Sequence, residues 1–124
     1  MAKGFNNKDH EHLNEDVYTN LHEELGADLM MQIIEIFLSD SPSKIESIRA
    51  GFAQGNAKKI ADVAHSFKSS SASLGAHRLS ELCSLLEEGA FKSSLETLQT
   101  TFALLEQEFL DVCLELKGKT SSAA

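Results

Sequence analysis

The sequence predicts an all-α fold, an antiparallel four-helix bundle with an additional short N-terminal helix. Two observations carry this. Every segment between residues 13 and 117 places its apolar residues at helical spacing, with no sustained strand alternation. The segments are also separated by short breaks that carry glycine or a capping residue, so consecutive helices fold back on one another. At 124 residues the chain makes one domain.

Met1 to His12 reads as a flexible polar arm. A first helix over Glu15 to Leu25 carries Val17 and Leu21, as core or as an apolar rim, and stops at Gly26. A second begins near Ala27 with the stripe Leu29, Met30, Ile33, Phe37 and Leu38. Ser41-Pro42 reads as an N-cap followed by proline at the first helical position, starting or kinking a segment with Ile45, Ile48 and Phe52 inward. Gly55 closes it. Asn56 then caps a helix from Ala57 to Leu74, with Gly75 as its stop. The next helix carries Leu79, Leu82, Cys83 and Leu86 and closes at Gly89. The last is the most regular: Leu95, Leu98, Phe102, Leu105, Phe109, Val112 and Leu116 alternate steps of three and four, a seam suited to crossing angles near +20°. Residues 118–124 read as a disordered tail, which leaves a bundle over 13–117.

Composition excludes several functions. The net charge of −8 argues against non-specific nucleic-acid binding, which needs clustered Lys and Arg, and against anionic membrane surfaces. No apolar stretch approaches the roughly 20 residues of a membrane span, and the N-terminus lacks the apolar core of a signal peptide. A cytoplasmic location is the expectation. Cys83 and Cys113 sit inside helical patterns and read as buried free thiols. His10-Glu11-His12 with His22 lacks the spacing of a metal motif, and His77 has no partner at ligand spacing, so no metal site is expected. Glu87 and Glu88 are adjacent and face different directions on a helix, so they make no acid–base dyad. No glycine-rich phosphate loop occurs.

The most informative stretch is Ala64-His65-Ser66-Phe67-Lys68-Ser69-Ser70-Ser71-Ala72-Ser73-Leu74-Gly75-Ala76. Stepped at about 100° per residue, it sets His65 on a face with Lys58, Ala61, Asp62, Lys68, Ser69 and Ala72. Ile60, Val63, Phe67 and Leu74 lie opposite, on the core side. An imidazole and an ammonium are thus one turn apart, mid-helix and exposed. A neutral imidazole is a nucleophile near physiological pH, and the lysine can offset charge on an incoming anion. Ser69 and Ala72, with Ala61, read as the small-residue face that admits a partner's active site.

This run resembles the signature of histidine-containing phosphotransfer (HPt) domains of bacterial two-component phosphorelays. His65, Lys68, Leu74, Gly75 and Ala76 match in identity and spacing, whereas Ser69 stands where the family usually has glycine. The added hydroxymethyl narrows the approach to His65 but remains small. The resemblance implies that His65 Nε2 accepts a phosphoryl group from a receiver-domain aspartate and passes it to another receiver. Lys68 would stabilise phosphoryl charge. The expected partners are receiver domains of response regulators and hybrid histidine kinases, which would supply the Mg²⁺; the chain itself needs no cofactor. With no ATP site it is a phosphohistidine carrier rather than a kinase, expected to be a monomer. Met1 and the polar ends favour a free-standing carrier. Two other readings compete: a helical adaptor that binds receivers without relaying phosphate, and a bundle holding metal or haem. The first does not need a nucleophile, and the second needs inward ligands where the sequence has Leu, Ile, Phe and Val. Arg78, a possible second cation at the docking surface, reads as an ordinary surface charge.

Overall fold

The structure is a computed structural model that describes residues 12–122. Five helices follow in order: α1 (Glu15–Leu25), α2 (Ala27–Gln54), α3 (Ala57–Ser73), α4 (His77–Gly89) and α5 (Leu95–Ser122). Helices α2, α3, α4 and α5 pack in a closed cycle, each on the next and α5 back on α2, while α1 lies against α2. This is the four-helix bundle with a short N-terminal helix that the sequence predicts.

The core is built from the predicted seam of α5, with Leu98, Phe102, Leu105, Phe109, Val112 and Leu116 all buried. At mid-height Phe37, Phe67 and Phe109 form a cluster of rings from α2, α3 and α5, with centroids 5.9–6.3 Å apart. Such pairs add about 0.5–1.5 kcal/mol each beyond the area they bury. Phe52 and Phe102 make a second contact at 5.3 Å between α2 and α5. Cys83 is buried as expected, and burial pushes its thiol up to about 12, so it behaves as a small hydrophobe.

Local chemistry sets the α3 boundaries. The Asn56 side chain accepts from the Lys59 amide at 3.0 Å, capping the N-terminus. Gly55 before it is left-handed (φ 64°) and lets the Asn56 amide reach back to the Gly51 carbonyl at 2.8 Å, so one short turn ends α2 and starts α3. The other end repeats the device. Gly75 (φ 85°) donates to Ala72 and Ala76 donates to Ser71, at 3.0 and 2.9 Å, which closes a Schellman turn. The Gly75 carbonyl accepts from the Asn14 amide at 2.8 Å, and Asn14 in turn caps α1 through the Val17 amide. The α3–α4 turn is therefore docked on the start of α1.

Four sequence expectations shift. Helix α2 is continuous through Pro42, so Ser41-Pro42 does not begin a new helix; Ser41 is buried in its interior. Proline forgoes one backbone bond and crowds the carbonyl of Leu38, about 3 kcal/mol in an isolated helix, which the burial of Phe37, Ile45 and Ile48 on either side offsets. The inward face of α2 starts with Met30 and Ile34 while Leu29 is exposed, and in α1 it is Tyr18 that is buried, Val17 and Leu21 being half-buried. Helix α5 runs on to Ser122, past the Gly118 at which the sequence predicts a tail. Lys119 there pairs with Glu15 at 2.9 Å and stands 4.6 Å over the Tyr18 ring, tying this last turn to α1. The arm expected over residues 1–12 lies outside the described residues except for His12, whose Nδ1 is 2.8 Å from Glu108 Oε2.

Both turn glycines are left-handed, but a Cβ on Gly75 would lie 3.2 Å from the Asn14 carbonyl and from Val17, whereas one on Gly55 would meet nothing within 4 Å. Gly55→Ala is expected to cost about 1 kcal/mol from backbone strain alone, and Gly75→Ala about 2–3 kcal/mol. Urea unfolding of the two variants measures the difference.

Candidate functional site

Helix α3 touches three neighbours, and its two flanks have different characters. Val63 and Ser70 are half-buried on the flank toward α2, where Lys44 reaches Ser70 at 3.5 Å and stands 6.0 Å over the Phe67 ring. On the other flank Ala61, Ala64 and Lys68 follow at helical spacing, and Lys68 bonds to α4, so this is the side turned to α4. Ala61 is only 8% exposed and Ala64 is fully buried. Ala61 is therefore not part of the open face on which the sequence placed it. The small residues instead let α3 and α4 approach closely, and these two helices pack most extensively of all pairs.

That approach brings together the side chains that matter. His65 projects outward with 64% of its side chain exposed, as expected. Its Nδ1 lies 2.8 Å from Oε2 of Glu87 on α4, and Lys68 Nζ donates to Oε1 of the same carboxylate at 2.9 Å. Glu87 thus bridges the two residues that the sequence singled out. The Lys68 ammonium holds its carboxyl below the usual carboxylate range; burial opposes this, and the His65 hydrogen bond adds a smaller lowering of its own. An ionised carboxylate can only accept, so Nδ1 carries the ring hydrogen. In the neutral ring Nε2 then keeps its lone pair, pointing away from α4. This is the tautomer a nucleophilic imidazole requires.

Glu87 is the residue sequence reasoning missed. In sequence its evident companion is Glu88, whereas its partners lie across a helix hairpin. A signal did exist. His65 and Glu87 lie at similar distances before and after the Gly75 turn, so antiparallel packing of the two predicted helices sets them side by side.

Around His65 the surface is small and polar: Ser66, Ser69 and Ser73 are exposed and Ala72 half-buried. Toward α2 it becomes apolar, in a groove of about 210 Å³ lined by Ile33, Ile36, Phe37, Lys44, Ser70 and Leu74. Ile36 is 63% exposed on its rim. Toward α4 it is acidic, with Glu81 exposed and Glu87 and Glu88 half-buried or exposed. Lys58 is engaged with Asp62 at 2.7 Å, away from His65. Arg78 sits 3.8 Å from Glu108, on the far side of α4 from the site.

Two features elsewhere contain none of His65, Lys68 and Glu87. A cleft of about 930 Å³ between α1, α2 and the end of α5 is lined by Tyr18, His22, Met30, Met31, Glu115 and Lys119. His12, Glu108 and Asp111 bring ligand-type atoms within 4.8 Å of one another. The His12 ring turns one nitrogen to each carboxylate and Arg78 approaches the other Glu108 oxygen, so the buried glutamate has a polar partner at each of its oxygens.

A helical bundle with an exposed histidine and a lysine one turn on is the arrangement of a phosphotransfer module. Comparison with known proteins agrees. The Hpt domain family matches residues 32–116, and the chain belongs to that family. It is 30% identical to the phosphorelay protein LuxU of Vibrio vulnificus strain YJ016 over 96 residues, 77% of this chain and 84% of the relative. LuxU of strain CMCP6 matches equally well. The crystal structure of histidine-containing phosphotransfer protein B (HptB) from Pseudomonas aeruginosa PAO1 superposes with a TM-score of 0.84 at 30% identity, covering 90% of this chain and 96% of that one.

The Lys68–Glu87 pair has a titratable consequence. A carboxylate held below its ordinary range contributes stability that is present above the ordinary pKa and is lost as pH falls through the folded one. In Lys68→Ala the Glu87 carboxyl is expected to titrate at higher pH than in the wild type, by side-chain ¹³C NMR. The stability gap between the two proteins should close in acid.

Proposed function

We propose that this protein is a phosphorelay intermediate that carries a phosphoryl group on His65 between receiver-domain aspartates. The observation that carries the reading is the Nδ1 contact of His65 with Glu87, which makes Nε2 the outward nitrogen and, in the neutral ring, the one with the lone pair. In the accepting step the Nε2 lone pair attacks the phosphorus of an aspartyl phosphate, and the P–O bond to the aspartate breaks with its electron pair returning to that carboxylate. Lys68 offsets charge on the phosphoryl oxygens, an electrostatic role in a transition state that needs positioning more than covalent help. The Mg²⁺ belongs to the receiver. The chain acts as a carrier, supplying a nucleophile and a docking face, and its partners are the receivers of response regulators and hybrid kinases. We place it in the cytoplasm, as a monomer; among the described residues no helix is long and apolar enough to cross a membrane.

Charge and shape support a direction of approach. Receiver active sites are acidic, and the acidic α4 flank disfavours them, while Ser69, Ala72 and the apolar α2 flank leave the way to Nε2 open. The docking face we assign is therefore Ser69 and Ala72 with the rim at Ile33 and Ile36, without Ala61.

Incubation with a radiolabelled phospho-receiver, drawn from a panel because pairing is selective, tests the reading. Label on the wild type should be acid-labile and alkali-stable, and His65→Gln should take none. Lys68→Ala should slow transfer by about tenfold to a hundredfold while leaving the helical circular dichroism intact. Absence of label despite measurable receiver binding would instead favour an adaptor.

The rim makes a separate prediction. Ile36→Glu, at an exposed position, is expected to leave stability unchanged and to weaken receiver binding by about tenfold. Titration calorimetry against the cognate receiver reads the loss directly.

A further inference from the structure

We infer that Glu87 holds the Nδ1 proton of His65 through both halves of the transfer, so that the phosphorylated ring is an imidazolium and the phosphoryl group departs from a neutral imidazole. The inference rests on the carrier reading above and assigns a role to a residue outside its signature.

The chemistry follows from the electron count. When Nε2 forms its bond to phosphorus it gives up its lone pair, and a ring that keeps its Nδ1 hydrogen becomes cationic. An exposed ring of this kind near neutral pH would surrender that hydrogen to water. The group expelled in the next step would then be an imidazolate, a far stronger base and a poorer leaving group. Holding the hydrogen in place makes both steps balance without a proton from solvent. On acceptance the P–O bond breaks and the P–N bond forms; on donation the P–N electron pair returns to Nε2, and Nδ1–H is unchanged throughout.

The geometry supplies the means. Glu87 Oε2 is 2.8 Å from Nδ1, and the carboxylate is more sheltered, at 28% exposure, than the 64% exposed ring. One side of the imidazole is thus against a fixed anion and the other is open to the partner. Lys68 adds a relay of charge. In the resting protein it neutralises Glu87 at 2.9 Å. An arriving phosphoryl group competes for the ammonium, and as Lys68 turns to it, the Glu87 charge becomes available to the ring at the moment the ring turns cationic. The other titratable and charged groups on the surrounding helices are placed as follows. On α3 itself Lys58 pairs with Asp62. On α4 Glu88 lies near Ser84, Glu81 is exposed, and Cys83 is a buried thiol. Lys44 of α2 faces Ser70 and Asp40, and Glu108 of α5 faces His12 and Arg78.

Glu87→Gln separates this from simple positioning, because the amide carbonyl can still accept from Nδ1–H and keep the tautomer while the charge is gone. The full-length wild type and variant are phosphorylated by the same phospho-receiver, and donation to fresh receiver is timed between pH 5.5 and 8.5. The ratio of the two rates cancels the receiver's own titration. The ratio should be near one in acid, where both rings are protonated, and fall to about one tenth in base. The Nδ1 titration of phosphorylated His65, read by ¹⁵N NMR, should move down by about one pH unit. Lys68→Ala should slow donation without that midpoint falling, since freeing Glu87 from its competing cation does not weaken its hold on the ring. A variant-to-wild-type ratio independent of pH, with an unmoved midpoint, would overturn the inference and leave the carrier reading standing. A wild type that takes no label from any receiver would overturn both.

Discussion

The site depends on how closely α4 can lie against α3. That distance is set by Ala61 and Ala64, whose side chains end at Cβ, and by the small buried Ser71, whose hydroxyl finds no partner among the described residues. A larger side chain on this flank would separate the helices and carry Glu87 out of reach of His65 and Lys68. The hairpin turn fixes the register that makes the closeness useful. Gly75 supplies a left-handed backbone, its carbonyl anchors the turn to Asn14, and α4 leaves at the angle that brings Glu87 beside His65. Backbone geometry at one glycine and side-chain volume at two alanines thus determine which nitrogen of an imidazole faces the carboxylate.

Stability and chemistry are divided between the two sides of α3. Its inner side carries Phe67 into the cluster with Phe37 and Phe109, and Ile60 and Leu74 are buried with it. Burial of such side chains is worth about 1.5–3 kcal/mol each. The His65–Glu87–Lys68 group sits at the surface, where ion pairs contribute about 0–1 kcal/mol. Its members can therefore exchange partners during a reaction at little cost to the fold. A triad buried as deeply as Phe67 would be locked by the desolvation penalty for any unpaired charge.

What the sequence made legible follows the range of each interaction. The ends of α3 were readable because Asn56, Gly55 and Gly75 act within a few residues, and the α5 seam because its period is unbroken. His65 and Lys68 were readable because one helical turn relates them. Ala61 was misplaced for a definable reason. Ile60, Phe67 and Leu74 mark one buried direction, and periodicity alone makes the face opposite them open, but α3 also packs on α4 and so buries a wider arc. Alanine carries no signal to tell the two cases apart. Pro42 misled because a local helix-start signal was overridden by burial on both sides of it. Gly118 misled because the contacts of Lys119 with Glu15 and Tyr18 join the two ends of the described chain. Glu87 needed the register of two helices, which periodicity within either one does not contain.

The same three side chains bear on why a carrier of this kind need not be a sink. With the ring neutral the group is electrically balanced: an imidazole, one cation and one anion. A phosphoryl group brings further negative charge, and Lys68 and the ring are placed to meet it. If the ring stays cationic, both contribute, yet Glu87 remains within 2.8 Å of the ring and pulls against any stronger embrace of the phosphoryl oxygens. A second arginine or lysine in place of that carboxylate would bind the phosphoryl group more tightly and retain it. An anion at this position opposes such retention while keeping the leaving nitrogen ready to depart, which suits a residue whose task is to accept a group and give it up.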